Sequence, residues 1–479
     1  MDSIKLQKVN DAYVKVIAES YLIDELADHF TFKVPGYQHM LRNQKRKGFR
    51  AWNGDICLLN RRTNQIYAGL NHRIQKFCTS RGYELIGGET EEFNFSEHEA
   101  KLFASILDLP FEPRPYQLKQ LAECVRNPRQ ICLLPTASGK SLVIYMAARY
   151  FGGKTLIIVP NLNLIHQMKS DFQEYGYKNN IHLIFQDQDK YSNADITIST
   201  WQSIYQLDEE FFSQFDRVMV DECHEAKATS IKSVMEKLKT CPVRLGFTGT
   251  LDGALSNELV LEGLFGRQNR ITSTTELIDQ GYLSSFKVYA IILSYNEDEC
   301  KHMKTLDYHG EKDYIVKHSR RNNFIKNLTL SLKGNSIVIF HYVEHGQLLY
   351  DMIRTATNRP VHLIYGGVEG EEREQIRKIM QTQEDAILIG SRQTVSTGLN
   401  IPSLKNVIFT TPSKGRIKVL QSIGRVLRKS EGKTEAKLFD IVDDFSYKKH
   451  KNIALVHFIE RLKIYLSEQF KVQSHKLKV

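Results

Sequence analysis

The sequence holds no apolar run approaching the ~20 residues that a bilayer-spanning helix requires. Its first residues, MDSIKLQKVNDAYVK, lack the apolar stretch and small-residue cleavage site of a secretory signal. A cytoplasmic protein is therefore expected. The seven cysteines form no CxxC pair and are odd in number, so neither a zinc site nor a disulfide framework is indicated. Prolines are few, at eleven, and no low-complexity tract interrupts a composition that is 42% hydrophobic and 25% charged. That is the composition of a folded globular chain. Sequence-specific readers of nucleic acid are also unrepresented, since no helix-turn-helix, zinc-finger or RNP pattern occurs.

What is present begins with size and charge. At 479 residues the chain is too long for one hydrophobic core. Its net charge of +10 is unevenly placed. Between Arg42 and Arg81 there are ten Lys/Arg and one acid, and between Lys448 and Val479 eight Lys/Arg and two acids. The middle is mildly acidic, as expected of a polyanion-binding appendage on a larger machine.

From residue 111 to 445 short β-branched runs alternate with helix-like stretches. The first series is ICLL (131–134), TLIIV (155–159), DITIS (195–199), RVMV (217–220) and VRLGFT (243–248). The second is KVYAIIL (287–293), SIVIF (336–340), VHLI (361–364), AILIG (386–390), NVIFTT (406–411) and AKLFDIV (436–442). Near-continuous apolar strands between helices predict parallel sheets covered on both faces. Two series predict two α/β lobes, residues 101–275 and 284–447. Residues 1–100 lack that rhythm and read as a small basic α+β domain. Within it Leu70, Ile74, Phe77 and Cys78 share one helical face. Residues 448–479 read as an amphipathic basic helix, from Leu455, Phe458, Ile459, Leu462 and Leu466.

The strongest local signal is ICLLPTASGKSLVIYMAARY (131–150). A buried strand enters a lean turn, Pro135-Thr136-Ala137-Ser138-Gly139, then Lys140-Ser141 opens an apolar helix. Backbone N–H groups and the helix N-terminus favour polyphosphate there. Lys140 is placed to reach the β- and γ-phosphates of ATP, and Ser141 to ligate Mg²⁺. Leu134 stands where the first glycine of such loops would be, and Ala137 where glycine is common. In RVMVDECHEA (217–226) an apolar strand delivers Asp221 and Glu222 at its C-terminal end. Phosphoryl transfer to water needs one carboxylate on the metal and a second group to position the water. Asp221 and Glu222 suit those roles.

PTASGKS (135–141), DECH (221–224), FTGT (247–250) and QSIGRVLR (421–428) occur in the order of the superfamily-two helicases, and residues 111–445 resemble that family. The resemblance implies two tandem RecA-like lobes. RPYQ (114–117) resembles the adenine-reading segment, with Arg114 and Gln117 at the base. His224 and Gln421 join the nucleotide site, as does Gly398 in VSTGLNIP (395–402). VPNLNLIHQ (159–167), STWQS (199–203) and IFHYVEH (339–345) resemble strand-tracking motifs, with Thr200 and Gln202 on the nucleic acid. Gln421, Arg425 and Arg428, at spacings of four and three, share a helical face. Two guanidiniums there can neutralise charge on the γ-phosphoryl, worth roughly 10³–10⁵ in rate.

The STWQS, DECH and QSIGRVLRK wording, with GYQHM…FRAWNGDICLLN in the N-terminal domain, is similar to the UvsW-type phage recombination helicases. That likeness implies branched DNA as substrate: Holliday junctions, forks and R-loops, RNA–DNA hybrid included. It also implies the cytoplasm of a bacterial host. A monomer is expected. Lys45, Arg46, Lys47, Arg50, Arg61, Arg62, Arg73 and Lys76 are the candidate phosphate contacts of the basic domain. Trp52, Ile56 and Leu58 read either as core of a small sheet or, for Trp52, as a base-stacking surface. Two other readings stay open: an RNA helicase on the same motor, and a clamp that uses ATP only as a switch.

Overall fold

The computed structural model describes residues 2–33, 54–88, 93–186, 189–225, 229–251, 255–398, 401–411, 423–424, 427, 429 and 433–479. The chain forms two compact units, Met1–Leu134 with Gly139–Ile271, and Pro135–Ser138 with Thr272–Val479.

The first unit opens with a small sheet of β1 (Ser3–Lys8), β2 (Tyr13–Ile17), β5 (Gln65–Tyr67) and β6 (Glu84–Ile86), in the order β5-β2-β1-β6. Ile4, Leu6, Val14 and Val16 alternate inward while Lys5 and Lys15 point to solvent, the period-2 pattern of a one-sided sheet. Two helices cover the buried face. Ser20–His29 contributes Leu22 and Leu26. Asn71–Arg81 contributes Ile74, Phe77 and Cys78, next to Leu70, and ends at Gly82 in the left-handed conformation. The apolar face predicted from 70–78 is thus inside. A short antiparallel pair, β3 (Thr31–Lys33) and β4 (Asp55–Cys57), completes the domain. In that region Leu58 is buried and Ile56 exposed, while Trp52 lies outside the described residues.

The same unit continues into a seven-stranded, wholly parallel sheet. Its strands are β7 (Arg129–Leu133), β8 (Thr155–Val159), β9 (Ile181–Ile184), β10 (Ile196–Thr200), β11 (Arg217–Asp221), β12 (Val243–Thr248) and β13 (Gln268–Arg270). The order is β13-β7-β12-β11-β8-β10-β9. Every residue of β8, β10 and β12 is buried, which requires helices on both faces. The five predicted strands are its five inner members, and both edge strands are additional.

The second unit repeats the plan. β14 (Ser285–Ser294), β15 (Ser336–Phe340), β16 (Val361–Ile364), β17 (Ile387–Ser391), β18 (Asn406–Phe409), β19 (Glu435–Asp444) and β20 (Lys471–Lys478) run parallel in the order β16-β17-β15-β18-β19-β14-β20. Its core carries two buried ion pairs. Arg321 donates to Asp443 at 2.7 Å, and Arg461 is bidentate to Asp440 at 2.8 Å.

The C-terminal segment corrects the sequence reading. Only Ile453–Ser467 is helical, and 471–478 is a strand pairing with β14 along its whole length. Its sequence, KVQSHKLK, offers no apolar run, and the lysines leave it soluble as a sheet edge.

Candidate nucleotide site and nucleic-acid surface

Parallel strands place their C-terminal ends on one edge of a sheet, and Lys140, Asp221, Glu222 and His224 gather on that edge of the first unit. β7 leads into the turn 135–139. Leu134 N–H donates to Thr248 O at 2.9 Å, tying the start of the turn to the end of β12. Ala137 and Gly139 both have positive φ, +70° and +79°. Ala137 therefore pays the strain that glycine avoids, of order 1–3 kcal/mol. At Gly139 the positive φ disfavours any side chain, and a Cβ 2.4 Å from Gln117 Nε2 would also force that amide to shift. Gln117 is buried. Its Oε1 accepts the Arg114 N–H at 2.9 Å and its Nε2 faces Gly139 O at 3.5 Å. The RPYQ segment thereby touches the turn 135–139. Arg114 reaches Tyr116 OH at 2.9 Å.

Lys140 opens the helix Lys140–Phe151 and turns toward the end of β11. Its Nζ is 2.6 Å from Glu222 Oε1 and 3.8 Å from Asp221 Oδ1. Glu222 has φ +51°, a second strained residue at the site. His224 Nδ1 lies 3.2 Å from Glu222 Oε2 and 2.8 Å from Thr248 Oγ1. Thr248 Oγ1 in turn donates to Thr250 O at 3.0 Å. Lys140, Glu222, His224 and the FTGT segment form one connected polar network, almost closed to solvent. Burial pushes the Asp221 carboxyl up to about 6, against the pull of Lys140. Burial also opposes the charge on Glu222, but Lys140 and His224 outweigh it and hold that carboxyl well below the usual range. For Lys140, desolvation is overcome by the two carboxylates, and its ammonium is held above the ordinary value.

The oxygen-only donors Ser141 and Asp221 fit a hard divalent cation. Among the described residues no group of three or more His, Cys, Asp or Glu could hold a metal by itself. A cation here would therefore share its coordination with phosphate oxygens and water, the usual habit of Mg²⁺. Ser141 Oγ also lies 2.9 Å from Tyr175 OH, a residue that belongs to none of the sequence motifs.

Gln421, Arg425 and Arg428 lie outside the described residues, as do Lys45, Arg46, Lys47 and Arg50. Gly398 closes the short helix Arg392–Gly398 that follows β17. Thr200 ends β10 on the same sheet edge as Asp221. It is buried, with Oγ1 3.0 Å from Ser203 Oγ, and Gln202 beside it is exposed.

The remaining basic residues of the first domain divide. Arg62 and Lys76 are exposed. Arg61 pairs with Asp24 and Asp28 at 2.6 and 2.5 Å. Arg73, expected on the nucleic-acid face, is instead bidentate to Glu262, with Nε at 2.6 Å and Nη2 at 2.8 Å. Glu262 is 96% buried as a side chain and also receives His72 at 3.0 Å and Gln268 at 2.9 Å. Burial works against its charge, yet these partners hold its carboxyl down to about 2. Arg73 is a clamp between the basic domain and the helix Leu255–Phe265. Tyr13 and Tyr67 reinforce that seam by donating to Glu236 at 2.9 and 2.6 Å. At its centre Gly69 approaches so closely that a Cβ would stand 2.1 Å from Glu262 O. Beside the seam is an open groove of about 690 Å³ whose rim includes Lys76, Gln75, Thr79, Arg267 and Glu258.

A strained phosphate turn, a paired acid–lysine network and two parallel α/β lobes define a superfamily-two helicase, and the comparisons agree. Residues 110–253 match the model of the type III restriction enzyme res subunit, and residues 320–430 that of the helicase conserved C-terminal domain. Residues 3–86 match the N-terminal domain of the DNA helicase UvsW. The ATP-dependent DNA helicase uvsW of Enterobacteria phage T4 is 32% identical over 98% of both chains. The crystal structure of T4 UvsW superposes with a TM-score of 0.53 at 30% identity, covering 99% of each chain. The DNA 3'-5' translocase XPB2 of Sulfurisphaera tokodaii is 24% identical over 73% of this chain and 87% of that protein. The chain belongs to the UvsW family of helicases. Among the described residues no helix is long and apolar enough to cross a membrane.

Proposed function

We propose that the chain is an ATP-dependent DNA helicase that remodels branched DNA, with Mg²⁺ as its metal. The observation that carries the ATPase is the Lys140–Glu222–His224–Thr248 network at the mouth of the phosphate turn. The Lys140 ammonium rests on Glu222, which makes that carboxylate a weak base. A bound triphosphate competes for the ammonium. As Lys140 transfers to phosphate oxygens, Glu222 loses its strongest attractive partner and its basicity rises. The group that positions and deprotonates the attacking water is thus released only when there is a phosphate to attack. Mg²⁺, held by Ser141 and Asp221, would neutralise phosphate charge. His224 passes the state of Glu222 to Thr248 and the FTGT segment. Arg425 and Arg428, assigned by motif, would stabilise the transferring phosphoryl.

The branched-DNA reading rests on family membership and on a basic domain bolted rigidly to the motor through Arg73–Glu262. A substrate panel tests it. Four-way junction, fork, R-loop, linear duplex and single-stranded RNA would be compared for ATPase stimulation and for strand movement, with ATP and with a non-hydrolysable analogue. Branched DNA should stimulate most, and strand movement should need hydrolysis. Equal stimulation by single-stranded RNA would move the protein to RNA remodelling, and strand movement with the analogue would make it a switch rather than a motor.

A further inference from the structure

We propose that Tyr175 is a positioning residue for the metal step: its phenol oxygen accepts the Ser141 hydroxyl proton and so fixes the Ser141 lone pairs toward the cation. The inference rests on the Ser141–Mg²⁺ assignment made above.

The chemistry starts from what a serine hydroxyl must do when it becomes a metal ligand. One lone pair goes to the cation, which polarises the O–H bond and makes its proton a stronger donor. That proton needs a nearby acceptor, or the hydroxyl rotor is left free and the ligand poorly aimed. Partners that fix a metal ligand in this way govern affinity nearly as strongly as the ligand itself. Ser141 Oγ and Tyr175 OH stand 2.9 Å apart, a normal O–H···O distance.

Tyr175 is held for that task from both ends. It follows the helix Leu162–Glu174 as its C-cap, and the chain then closes in a left-handed turn at Gly176, φ +91°. Tyr177 N–H donates to Phe172 O at 3.0 Å and Gly176 N–H to Gln173 O at 3.1 Å. These are the two bonds of a Schellman cap, and they set the backbone of Tyr175 rigidly. Its ring is then wedged between Tyr145, at 5.5 Å, and Phe111, edge-on at 5.7 Å. Tyr145 is fully buried on the helix that carries Ser141 itself. Cap and ring packing together bring the hydroxyl to 2.9 Å from Ser141 Oγ. A tyrosine serving only to fill space would not require the hydroxyl.

The test uses the full chain and Tyr175→Phe, which keeps the ring packing and removes only the oxygen. Binding of a fluorescent ATP analogue would be titrated with Mg²⁺, and separately measured in EDTA. The Mg²⁺ concentration at half-saturation should rise about 10- to 100-fold, with metal-free nucleotide affinity unchanged. In a Ser141→Ala background the same substitution should have no further effect on the Mg²⁺ midpoint. A wild-type midpoint in Tyr175→Phe overturns the proposal. So does an undiminished effect in the Ser141→Ala background, because Tyr175 would then act on the metal by another route. If Ser141→Ala itself leaves the Mg²⁺ midpoint unchanged, the metal assignment of Ser141 is what fails.

Discussion

Two glutamates of this chain, one buried and one largely so, each hold a cation at 2.6 Å, and they do opposite things. Glu222 meets Lys140 beside the phosphate turn, and Glu262 meets Arg73 at the seam of the basic domain. The backbone is strained at Glu222 itself and at Ala137 in the turn before Lys140, both non-glycine residues with positive φ. The contact is a single ammonium point, free to trade one anion for another. Around Glu262 both partners lie on regular helices, the guanidinium binds two oxygens at once, and His72 and Gln268 occupy what remains. A planar fork matched to a carboxylate is a fixed joint, whereas a lysine against two carboxylates is an exchangeable one. Strain, single-point contact and competing carboxylates mark the working pair. Complete satisfaction marks the structural pair.

The largest expected effects follow from breaking the exchangeable pair. Lys140→Ala should reduce DNA-stimulated ATPase by about 10²–10³ or more, since it removes a preorganised charge from the phosphates. Glu222→Gln should lower turnover by about 10²–10⁴ while nucleotide still binds, as expected for loss of a general base. Steady-state phosphate release and filter binding of ATP separate the two. Normal hydrolysis in Lys140→Ala would remove the site altogether.

Breaking the fixed pair should cost stability instead of chemistry. Arg73→Ala leaves Glu262 charged and buried. A fully buried pair loses about 3–5 kcal/mol in that way, but Arg73 keeps 30% of its side chain exposed, so about 2–3 kcal/mol is expected. Urea unfolding measures it, and the added change Glu262→Gln should recover most of the loss by removing the stranded charge. An equally unstable double variant would show that packing of the arginine stem matters more than its charge.

How far these roles were legible depends on what each feature leaves in the sequence. The inner strands are written as apolar runs because both their faces are buried. TLIIV, VRLGFT and SIVIF match observed inner strands residue for residue, and VHLI matches an edge strand of the second sheet. The three strands not predicted in the two large sheets, Ile181–Ile184, Gln268–Arg270 and Lys471–Lys478, are all edges. An edge strand needs burial on fewer sides, so its sequence is free to be polar, and KVQSHKLK is. The turn 135–139 was legible because a lean backbone demands small residues at set positions, although Ala137 stood there as a departure from glycine. The pairing of Arg73 was not legible, because a run of basic residues does not reveal which one has an acid waiting 189 positions later. Tyr175 left no signal, since its partner is 34 residues away and its role depends on a ring orientation.

Acid should separate the two glutamate sites by about tenfold. Asp221, held at about 6 against 3.8 in an unstructured chain, takes up a proton as pH falls through 6. Its protonated form favours the fold, a contribution present in full below 3.8 and lost as pH rises through 6. Glu262 has the reverse sign. Held at about 2 against 4.5, it contributes stability above 4.5 that is lost only as pH falls through 2. At pH 5 the seam therefore keeps its ion pair while roughly nine in ten Asp221 side chains are neutral, from one pH unit below the apparent value. Mg²⁺-dependent nucleotide binding should weaken about tenfold from pH 7.5 to 5 with no loss of the folded baseline. Parallel loss of structure over that range would mean that the seam, not the site, is the acid-sensitive element.

The smallest effect probes what the fixed joint is for. Bolting the basic domain to the motor holds Lys76 of one and Arg267 of the other on a common groove, both exposed, with the amide of Gln75 and the hydroxyl of Thr79 between them. Such a rim has donors for phosphate oxygens and no Phe, Tyr or Trp among its lining residues, so it suits a backbone and not a sequence. Glu258 on the same rim opposes the charge, which keeps any single contact weak. Replacing both cations, Lys76→Ala with Arg267→Ala, should lower the salt dependence of junction binding by up to about two phosphate contacts, a slope change of about 1.8. Affinity near physiological salt should fall severalfold, and ATPase without DNA should stay as it was. The same double change in the Arg73→Ala background should have less effect, because a loosened domain no longer presents the two cations together. A slope identical to that of the unmodified protein would leave the joint with a purely structural role and send the DNA contacts back to the exposed Arg62 and the basic residues 45–50.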